Sequence, residues 1–135
     1  MPILVEKFES KTIRTTTPDG TMFTIIDENP DGTIAQIRVE IGKSGSKIRA
    51  WTFAFSQLVS MLIQRGASIE DIITVVSNTN SDKLVYDKTT PIRSGPAGFV
   101  QALMIYKEHK FKLLTEQLGD PLKKRRPPRI YGRSA

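Results

Sequence analysis

Two Pro-Asp-Gly triplets constrain the fold of the first 40 residues more than any other feature of this chain. They lie within the turn signals Thr17-Pro18-Asp19-Gly20 and Asn29-Pro30-Asp31-Gly32, where proline and glycine stand at positions that tight turns favour. The segments around them run from Lys11 to Thr16, from Thr21 to Asp27 and from Thr33 to Ile41. We therefore predict three strands joined by two tight turns, which make an antiparallel meander.

The third predicted strand shows the alternation of a half-buried strand. One face carries Ile34, Gln36, Arg38 and Glu40, and the other carries Ala35, Ile37, Val39 and Ile41. We expect the second face, which is entirely apolar, to pack on the core.

A long helix is predicted from Ile48 to Gln64, with Ser46 as its N-cap and Gly66 just past its C-terminus. Six apolar residues fall at helical spacing on one predicted face of this helix, namely Ile48, Trp51, Phe55, Leu58, Val59 and Leu62. A second, shorter helix is predicted from Ile69 to Ser77, because Ser68-Ile69-Glu70-Asp71 has the form of a capping start.

The last helix is predicted to open at Ser94-Gly95-Pro96 and to end at Leu118. It presents Phe99, Val100, Leu103 and Met104 on one face. Between the helices, residues 78–90 read as a polar loop with a short extended piece at 84–86. Strands followed by helices predict an α+β fold, with a lead-in at 1–11, a domain at 12–119 and a tail at 120–135.

The chain has no cysteine, and His109 is its only histidine. This composition excludes thiolate nucleophiles, redox dithiols, cysteine-type zinc sites and multi-histidine metal sites. His109 lies between Glu108 and Lys110 on a polar stretch, so we expect it to be exposed and not catalytic. We predict a protein that is not an enzyme and needs no cofactor or metal, with a cytoplasmic location as the default because no targeting segment is visible.

The net charge of +6 is concentrated at one end of the chain. Residues 1–122 carry as many acidic as basic side chains, so the excess belongs to the tail. Its six cations and one tyrosine are Lys123, Lys124, Arg125, Arg126, Arg129, Arg133 and Tyr131. These residues could bind a phosphate backbone, with Tyr131 stacked on a base, or could bind an acidic protein surface instead.

Several short motifs, in order, resemble the TSCPD domain. They are Thr17-Pro18-Asp19-Gly20-Thr21, Asp31-Gly32, the run from Val39 to Ser46, Arg65-Gly66, Ile69-Glu70-Asp71-Ile72 and Ile92-Arg93-Ser94-Gly95-Pro96. The resemblance covers roughly residues 12–106. That domain lies near the C-terminus of adenosylcobalamin-dependent (class II) ribonucleotide reductases and also occurs as small free-standing proteins.

The resemblance implies a small α+β module associated with nucleotide metabolism. The family takes its name from a cysteine-containing motif, which this chain lacks. Ribonucleotide reduction needs a thiyl radical and a reducing cysteine pair on a large catalytic barrel. Reduction by this polypeptide alone is therefore excluded.

The glycine-rich turn Gly42-Lys43-Ser44-Gly45-Ser46 is a candidate anion site, because free N–H groups at a helix start attract phosphate. It lacks the spacing of a Walker A loop, and the alternative is a capped turn without a ligand. Arg93 and Ser94 stand at a second helix start, so the two turns could share one anion pocket.

Three aromatic residues lie near the start of the first predicted helix. Trp51 and Phe55 share a face and are expected in the core, whereas Phe53 lies off that face and could stack on a ligand or serve an interface.

Three function hypotheses follow from the sequence. The leading one is a non-catalytic module that binds a nucleotide or nucleic-acid phosphate through its helix starts and basic tail. The second is an oligomeric accessory subunit that docks on a larger assembly, such as a ribonucleotide reductase encoded in pieces. The third is a phage or other viral protein that sequesters a small signalling nucleotide.

Overall fold

The computed structural model describes residues 9–42 and 45–118, and it confirms the predicted α+β fold. Cα packing divides the chain into two compact units, residues 1–104 and 105–135. The described elements are β1 (Glu9–Thr17), β2 (Gly20–Glu28), β3 (Ile34–Ile41), α1 (Ser46–Gln64), α2 (Ile69–Val76), β4 (Val85–Asp87), β5 (Thr90–Ile92) and α3 (Gly95–Leu118).

The predicted meander is confirmed as a three-stranded antiparallel sheet in the order β1-β2-β3. At the first turn, Thr17 pairs with Gly20 and its hydroxyl donates to the Gly20 carbonyl at 2.8 Å. At the second, the Asp31 carboxylate accepts from the Thr33 N–H at 3.0 Å. Gly20 and Gly32 have φ values of +123° and +91°, which explains why glycine stands at both positions.

One face of this sheet forms a core among the described residues of the first unit. Its buried members include Thr15, Met22, Ile26, Ile37 and Val39, which confirms the inward face predicted for the third strand. The start of α3 packs closely against β1. A β-carbon added at Gly98 would lie only 2.4 Å from the Thr17 methyl group, so only glycine fits there. Phe99 and Leu103 of α3 are completely buried.

The predicted inward face of α1 is wrong at three of its six positions. Trp51, Leu58 and Leu62 are 74%, 57% and 46% exposed. The side of α1 that does pack inward carries Val59 and Ser56, which are 3% and 7% exposed.

Hydrogen bonds to the free edge of β3 explain why α1 packs with a different side inward than predicted. The Ser56 hydroxyl accepts from the Val39 N–H at 2.8 Å. The Ser60 hydroxyl accepts from the Ile37 N–H and donates to the Ile37 carbonyl, both at 2.9 Å. Four helix residues rise about 6.0 Å and two strand residues advance about 6.6 Å, so serines four apart match alternate strand residues. A helix that satisfies an edge strand in this way must turn its serines inward.

The helix ends follow the predictions except at the start of α1. Its N-cap is Gly45, without a side-chain cap, and Ser46 is already the first helical residue, so the prediction of Ser46 as the cap is wrong. Gly66 follows the C-cap with φ at +102°, as predicted. Ser68 and Asp71 form the predicted capping box of α2.

The segment predicted as a loop contains a second, two-stranded sheet. Its β4–β5 hairpin turns at Lys88, which has φ at +56° although it is not glycine. The prediction failed at β5 because Lys88-Thr89 is not a common turn signal and Pro91 weakens the strand pattern. The Asp87 carboxylate accepts from the Thr16 N–H at 2.9 Å, and so satisfies a backbone donor on the β1 edge of the larger sheet.

The second unit is described only from residue 105 to residue 118, where α3 continues to its predicted end. Tyr106 is buried, His109 is exposed as expected, and Phe111 and Leu114 are 67% and 50% exposed. The weak apolar pattern of this half therefore corresponds to an exposed helix surface.

Candidate functional site

The first predicted anion site falls partly outside the described residues. Lys43 and Ser44 belong to the segment that the structure does not describe. The N–H of Gly42 donates to the Thr21 carbonyl at 2.8 Å, so this group serves the fold. Gly45 is exposed, and a β-carbon there would meet nothing within 4 Å. The phosphate role of this turn therefore stays a prediction.

At the second predicted site, the start of α3, Ser94 has a structural role. The Ser94 hydroxyl accepts from the Ala97 N–H at 3.0 Å, as a cap does, and donates to the Thr79 carbonyl. Arg93 is exposed, and its carbonyl accepts from the Ser81 N–H and hydroxyl at 3.1 and 2.6 Å. Of this pair, Arg93 is exposed and Ser94 is buried.

The starts of α1 and α3 do meet at one cleft, of about 320 Å³, lined by Ile48 and Trp51 on one side and Gly95 and Pro96 on the other. Among the described residues that line it, Asp19 is the only charged one. Its carboxylate lies at the first residue of α3, since a β-carbon at Gly95 would be 2.9 Å from Asp19 Oδ2. An apolar cleft with a carboxylate at its edge disfavours a second anion.

A larger concavity, which we call the α1–β3 groove, has a volume of about 860 Å³. It lies between the β3 edge and the side of α1 that carries Ser56 and Ser60. Its polar and aromatic lining includes Gln36, Arg38 and Glu40 from β3 and Arg49, Phe53 and Gln57 from α1. With Gln64, which also lines it, the groove combines two guanidinium groups, three amides, one carboxylate and an aromatic ring that is 64% exposed.

A buried carboxylate holds Arg38 in the groove wall. Arg38 donates through Nε to Asp27 Oδ2 at 3.2 Å and through Nη2 to Oδ1 at 3.3 Å. Gln36 donates to the same carboxylate at 2.6 Å, and the Ser10 hydroxyl donates to it from β1. Asp27 is only 2% exposed, so its four donors replace the water that it has lost.

The pKa of Asp27 lies below the ordinary aspartate value. Burial acts to raise this pKa, but the hydrogen bonds from Ser10, Gln36 and Arg38 outweigh it, and the charge of Arg38 adds to their effect. The carboxylate is therefore ionised at neutral pH and fixes the orientation of both Gln36 and Arg38.

The arrangement suits an anionic ligand with a planar ring. Arg49 is exposed near the start of α1, where a guanidinium can pair with a phosphate. Phe53 is an exposed aromatic ring in the lining, which is suited to stacking, and Gln57 offers an amide that can both donate and accept. Glu40, on the same strand face as Arg38, can accept from a sugar hydroxyl.

Sequence reasoning missed Arg38, Arg49 and Glu40 as site residues, although it singled out Phe53. The alternation in β3 places Gln36, Arg38 and Glu40 on one face, which is a usable signal. No sequence pattern showed that α1 would bring Arg49 and Phe53 beside that face, because this depends on which side of α1 packs on the strand.

Other classes of site find no support in the described part of the chain. Among residues 9–42 and 45–118, no group of three His, Asp or Glu side chains could hold a metal ion. Within the same ranges, no helix is both long and apolar enough to cross a membrane. The predicted tail contacts lie outside the described residues, at Lys123, Lys124, Arg125, Arg126, Arg129, Tyr131 and Arg133.

Comparison with known families decides the relationship suggested by the motifs. The family model of the TSCPD domain matches residues 5–107 of this 135-residue chain. The chain belongs to the TSCPD domain family. No curated protein and no solved structure matches it. The TSCPD match includes every element from β1 to β5, both walls of the α1–β3 groove and the first half of α3, and it ends before the basic tail.

Proposed function

We propose that this TSCPD domain is a non-catalytic binding module for a nucleotide phosphate, acting in the cytoplasm, with its ligand in the α1–β3 groove. The observation that carries the proposal is the convergence of Arg38, Arg49 and Phe53 on one concavity. Its volume of about 860 Å³ falls in the range of small-molecule sites.

In this proposal each groove residue contacts a different part of the ligand. Arg49 supplies the charge that pairs with a phosphate, since Arg38 already shares its charge with Asp27 at 3.2 Å. Phe53 stacks on the base, which provides affinity with little preference among bases. Gln57 and Gln36 then bond the polar edges of the ligand. Arginine, glutamine and phenylalanine side chains bind and orient a ligand but are not nucleophiles, so this set supports binding.

The other predicted phosphate contacts add to this site. Lys43, which lies outside the described residues, is kept as a predicted phosphate contact because its charge attracts anions. The basic tail would contribute non-specific affinity for a longer nucleic acid, because phosphate contacts alone carry no sequence information.

A thermal-shift screen over mono-, di- and cyclic nucleotides tests the groove. A ligand at 100 times its dissociation constant adds about 2.7 kcal/mol to the free energy of unfolding and so raises the melting temperature. We expect Arg49→Ala and Phe53→Ala each to weaken binding by about tenfold or more, since each removes one strong contact.

Arg93→Ala is the matched control, because Arg93 is an exposed arginine of the same domain that does not line the groove. If Arg93→Ala abolishes the shift and Arg49→Ala leaves it intact, the ligand lies at the start of α3 instead. If no nucleotide changes the melting temperature of the wild type, the proposed function is wrong.

A second candidate function is an accessory subunit of a larger assembly, and the exposed apolar surface of α1 favours it. Trp51 and Leu58 are 74% and 57% exposed on one helix, which is unusual unless a partner covers them. We would mix the chain with a class II ribonucleotide reductase polypeptide that lacks its own TSCPD domain and measure mass by light scattering. A complex that Leu58→Asp disrupts supports docking; two unchanged masses contradict it.

A further inference from the structure

The cleft between the starts of α1 and α3 has walls of a single chemical character. Its volume of about 320 Å³ lies at the lower end of the range for small-molecule sites. Apart from Asp19 and Thr52, the described residues that line it are apolar or glycine. Trp51, Phe55 and Phe99 are aromatic, and the rings of the last two meet edge to face with centroids 4.9 Å apart. Such walls suit a small ligand with an aromatic body.

The two Pro-Asp-Gly turns use their aspartates differently. In the second turn, the Asp31 carboxylate accepts from the N–H and the hydroxyl of Thr33 at 3.0 and 2.6 Å, so it stabilises the turn itself. Asp19 has the equivalent position in the first turn, where its backbone N–H donates to the Thr17 hydroxyl at 3.1 Å. Within residues 9–42 and 45–118, no hydrogen bond or ion pair of the Asp19 carboxylate is found. This carboxylate is therefore available to a ligand.

The start of α3 is a favourable place for the negative charge of Asp19. A β-carbon at Gly95 would lie 2.9 Å from Asp19 Oδ2, so the carboxylate lies against the first turn of the helix. The N-terminal end of a helix favours an anion but brings no cation to neutralise it. The cleft thus has a carboxylate at its edge that still lacks a counter-ion among the described residues.

Both polar side chains of the cleft offer acceptors. An ionised carboxylate can only accept, and the Thr52 hydroxyl already donates to the Arg49 carbonyl at 3.1 Å. A ligand that complements them must supply donors and a positive charge. An ammonium group supplies both, because it has three donors and no acceptor.

We propose that this cleft binds a small protonated aromatic amine, with its ammonium group on Asp19 and its ring among Trp51, Phe55 and Phe99. Trp51 is 74% exposed, so its indole can also attract the cation. The cleft is too small for more than a compact molecule, which favours a free amine over a folded partner.

The amine site goes beyond nucleotide binding and does not rest on it. Val39, Ile41 and Thr52 line both the cleft and the α1–β3 groove, but Asp19 lines only the cleft. Substitution of Asp19 therefore tests the amine site and leaves the lining of the groove unchanged.

A titration of the full chain with three probes of one shape tests the proposal. Phenethylamine is the cation, 2-phenylethanol its neutral counterpart and 3-phenylpropionate an anion. Trp51 is the only tryptophan and lines the cleft, so its fluorescence reports binding there. We expect the amine to bind about tenfold more tightly than the alcohol, because its hydrogen bond to Asp19 is charge-assisted. The anion should bind most weakly.

Asp19→Asn should raise the dissociation constant of the amine to that of the alcohol and leave the alcohol unchanged. Asp31→Asn is the matched control, since it makes the same substitution in the other Pro-Asp-Gly turn, away from the cleft. Gly95→Ala is a second variant: its methyl group would lie 2.9 Å from Asp19 Oδ2 and so displace the carboxylate. It should weaken amine binding more than alcohol binding. Melting curves check that each variant is folded.

A preference for the amine that Asp19→Asn removes and Asp31→Asn retains would support the proposal. No Trp51 response to any probe, equal binding of amine and alcohol, or a preference that survives in both Asp19→Asn and Gly95→Ala would overturn it. Because none of the probes contains a phosphate, these results are separate from the thermal-shift screen with nucleotides. A chain that responds to nucleotides but not to phenethylamine would contradict the amine site alone.

Discussion

At the scale of single residues, Asp27 determines the shape of the groove wall. It lies on β2, between Ser10 of β1 and the pair Gln36 and Arg38 of β3. Each neighbouring strand thus donates to one carboxylate that is 2% exposed. Removing its charge would leave donors without their acceptor and would release Arg38, so Asp27 supports both the stability of the sheet and the geometry of the candidate site.

We expect Asp27→Asn to lower the free energy of unfolding at pH 7 by about 1–3 kcal/mol, because an amide cannot satisfy all the donors. The folded-state pKa of Asp27 is lowered. Its ionisation therefore contributes stability above the unfolded-state value of about 3.9, and this contribution is lost as the pH falls toward the folded-state pKa. The difference between wild type and variant should shrink below about pH 4.

Urea unfolding at pH 7 and pH 3 measures this difference. Asp82→Asn is the control, since Asp82 is exposed and no hydrogen bond of its carboxylate is found among the described residues. If the free energies of unfolding of wild type and Asp27→Asn differ by the same amount at both pH values, the ionised Asp27 carboxylate does not have the stabilising role assigned to it.

At the scale of elements, the packing of α1 on β3 determines both the groove and the exposed apolar side of α1. Ser56 and Ser60 bond the strand edge at 2.8 and 2.9 Å, and this contact turns the apolar side of α1 outward. The edge of β3 is thereby protected from pairing with other strands. The same rotation brings Arg49 and Phe53 beside the outer face of β3.

We expect Ser56→Ala to lower the free energy of unfolding by about 1–3 kcal/mol, because it leaves the buried Val39 N–H without an acceptor. Gln57→Ala, one residue along the same helix and exposed, should change it by less than about 0.5 kcal/mol. Chemical denaturation of both variants at low protein concentration makes the comparison. Equal effects of the two substitutions would show that the edge contact contributes little.

At the scale of the whole molecule, the charge is divided between a balanced domain and a basic tail. All six excess positive charges of the chain lie beyond residue 122. The TSCPD match ends at residue 107, so the tail is an addition to the domain. Such a tail would act through long-range attraction, which depends on ionic strength far more than contacts within a groove do.

If the tail binds nucleic acid, affinity for a single-stranded oligonucleotide should fall steeply with salt. Six phosphate contacts predict a slope of roughly −4 in a plot of log affinity against log salt. Truncation after Leu122 should remove most of that slope. The truncated chain should still show the nucleotide-induced rise in melting temperature that depends on Arg49. Fluorescence anisotropy over a salt series measures both. A flat response of the full chain would rule out the nucleic-acid role.

Local signals in the sequence were sufficient for most of the fold. The Pro-Asp-Gly turns, the alternation in β3 and the capping box at Ser68 act within a few residues, so the meander and the start of α2 could be predicted. The β4–β5 hairpin was missed because its turn at Lys88 uses an uncommon residue in a left-handed conformation. The candidate groove was not predictable as a site, since its two walls are distant in sequence.

The sequence by itself determined the element order, the inward face of β3, the absence of thiol chemistry and the separation of the basic tail. Only the tertiary structure decided which side of α1 is buried. The apolar spacing favoured the side with Trp51 and Leu58, but the unpaired backbone groups of β3 required polar partners, and Ser56 and Ser60 provide them. An unsatisfied buried N–H is more unfavourable than an exposed apolar side chain.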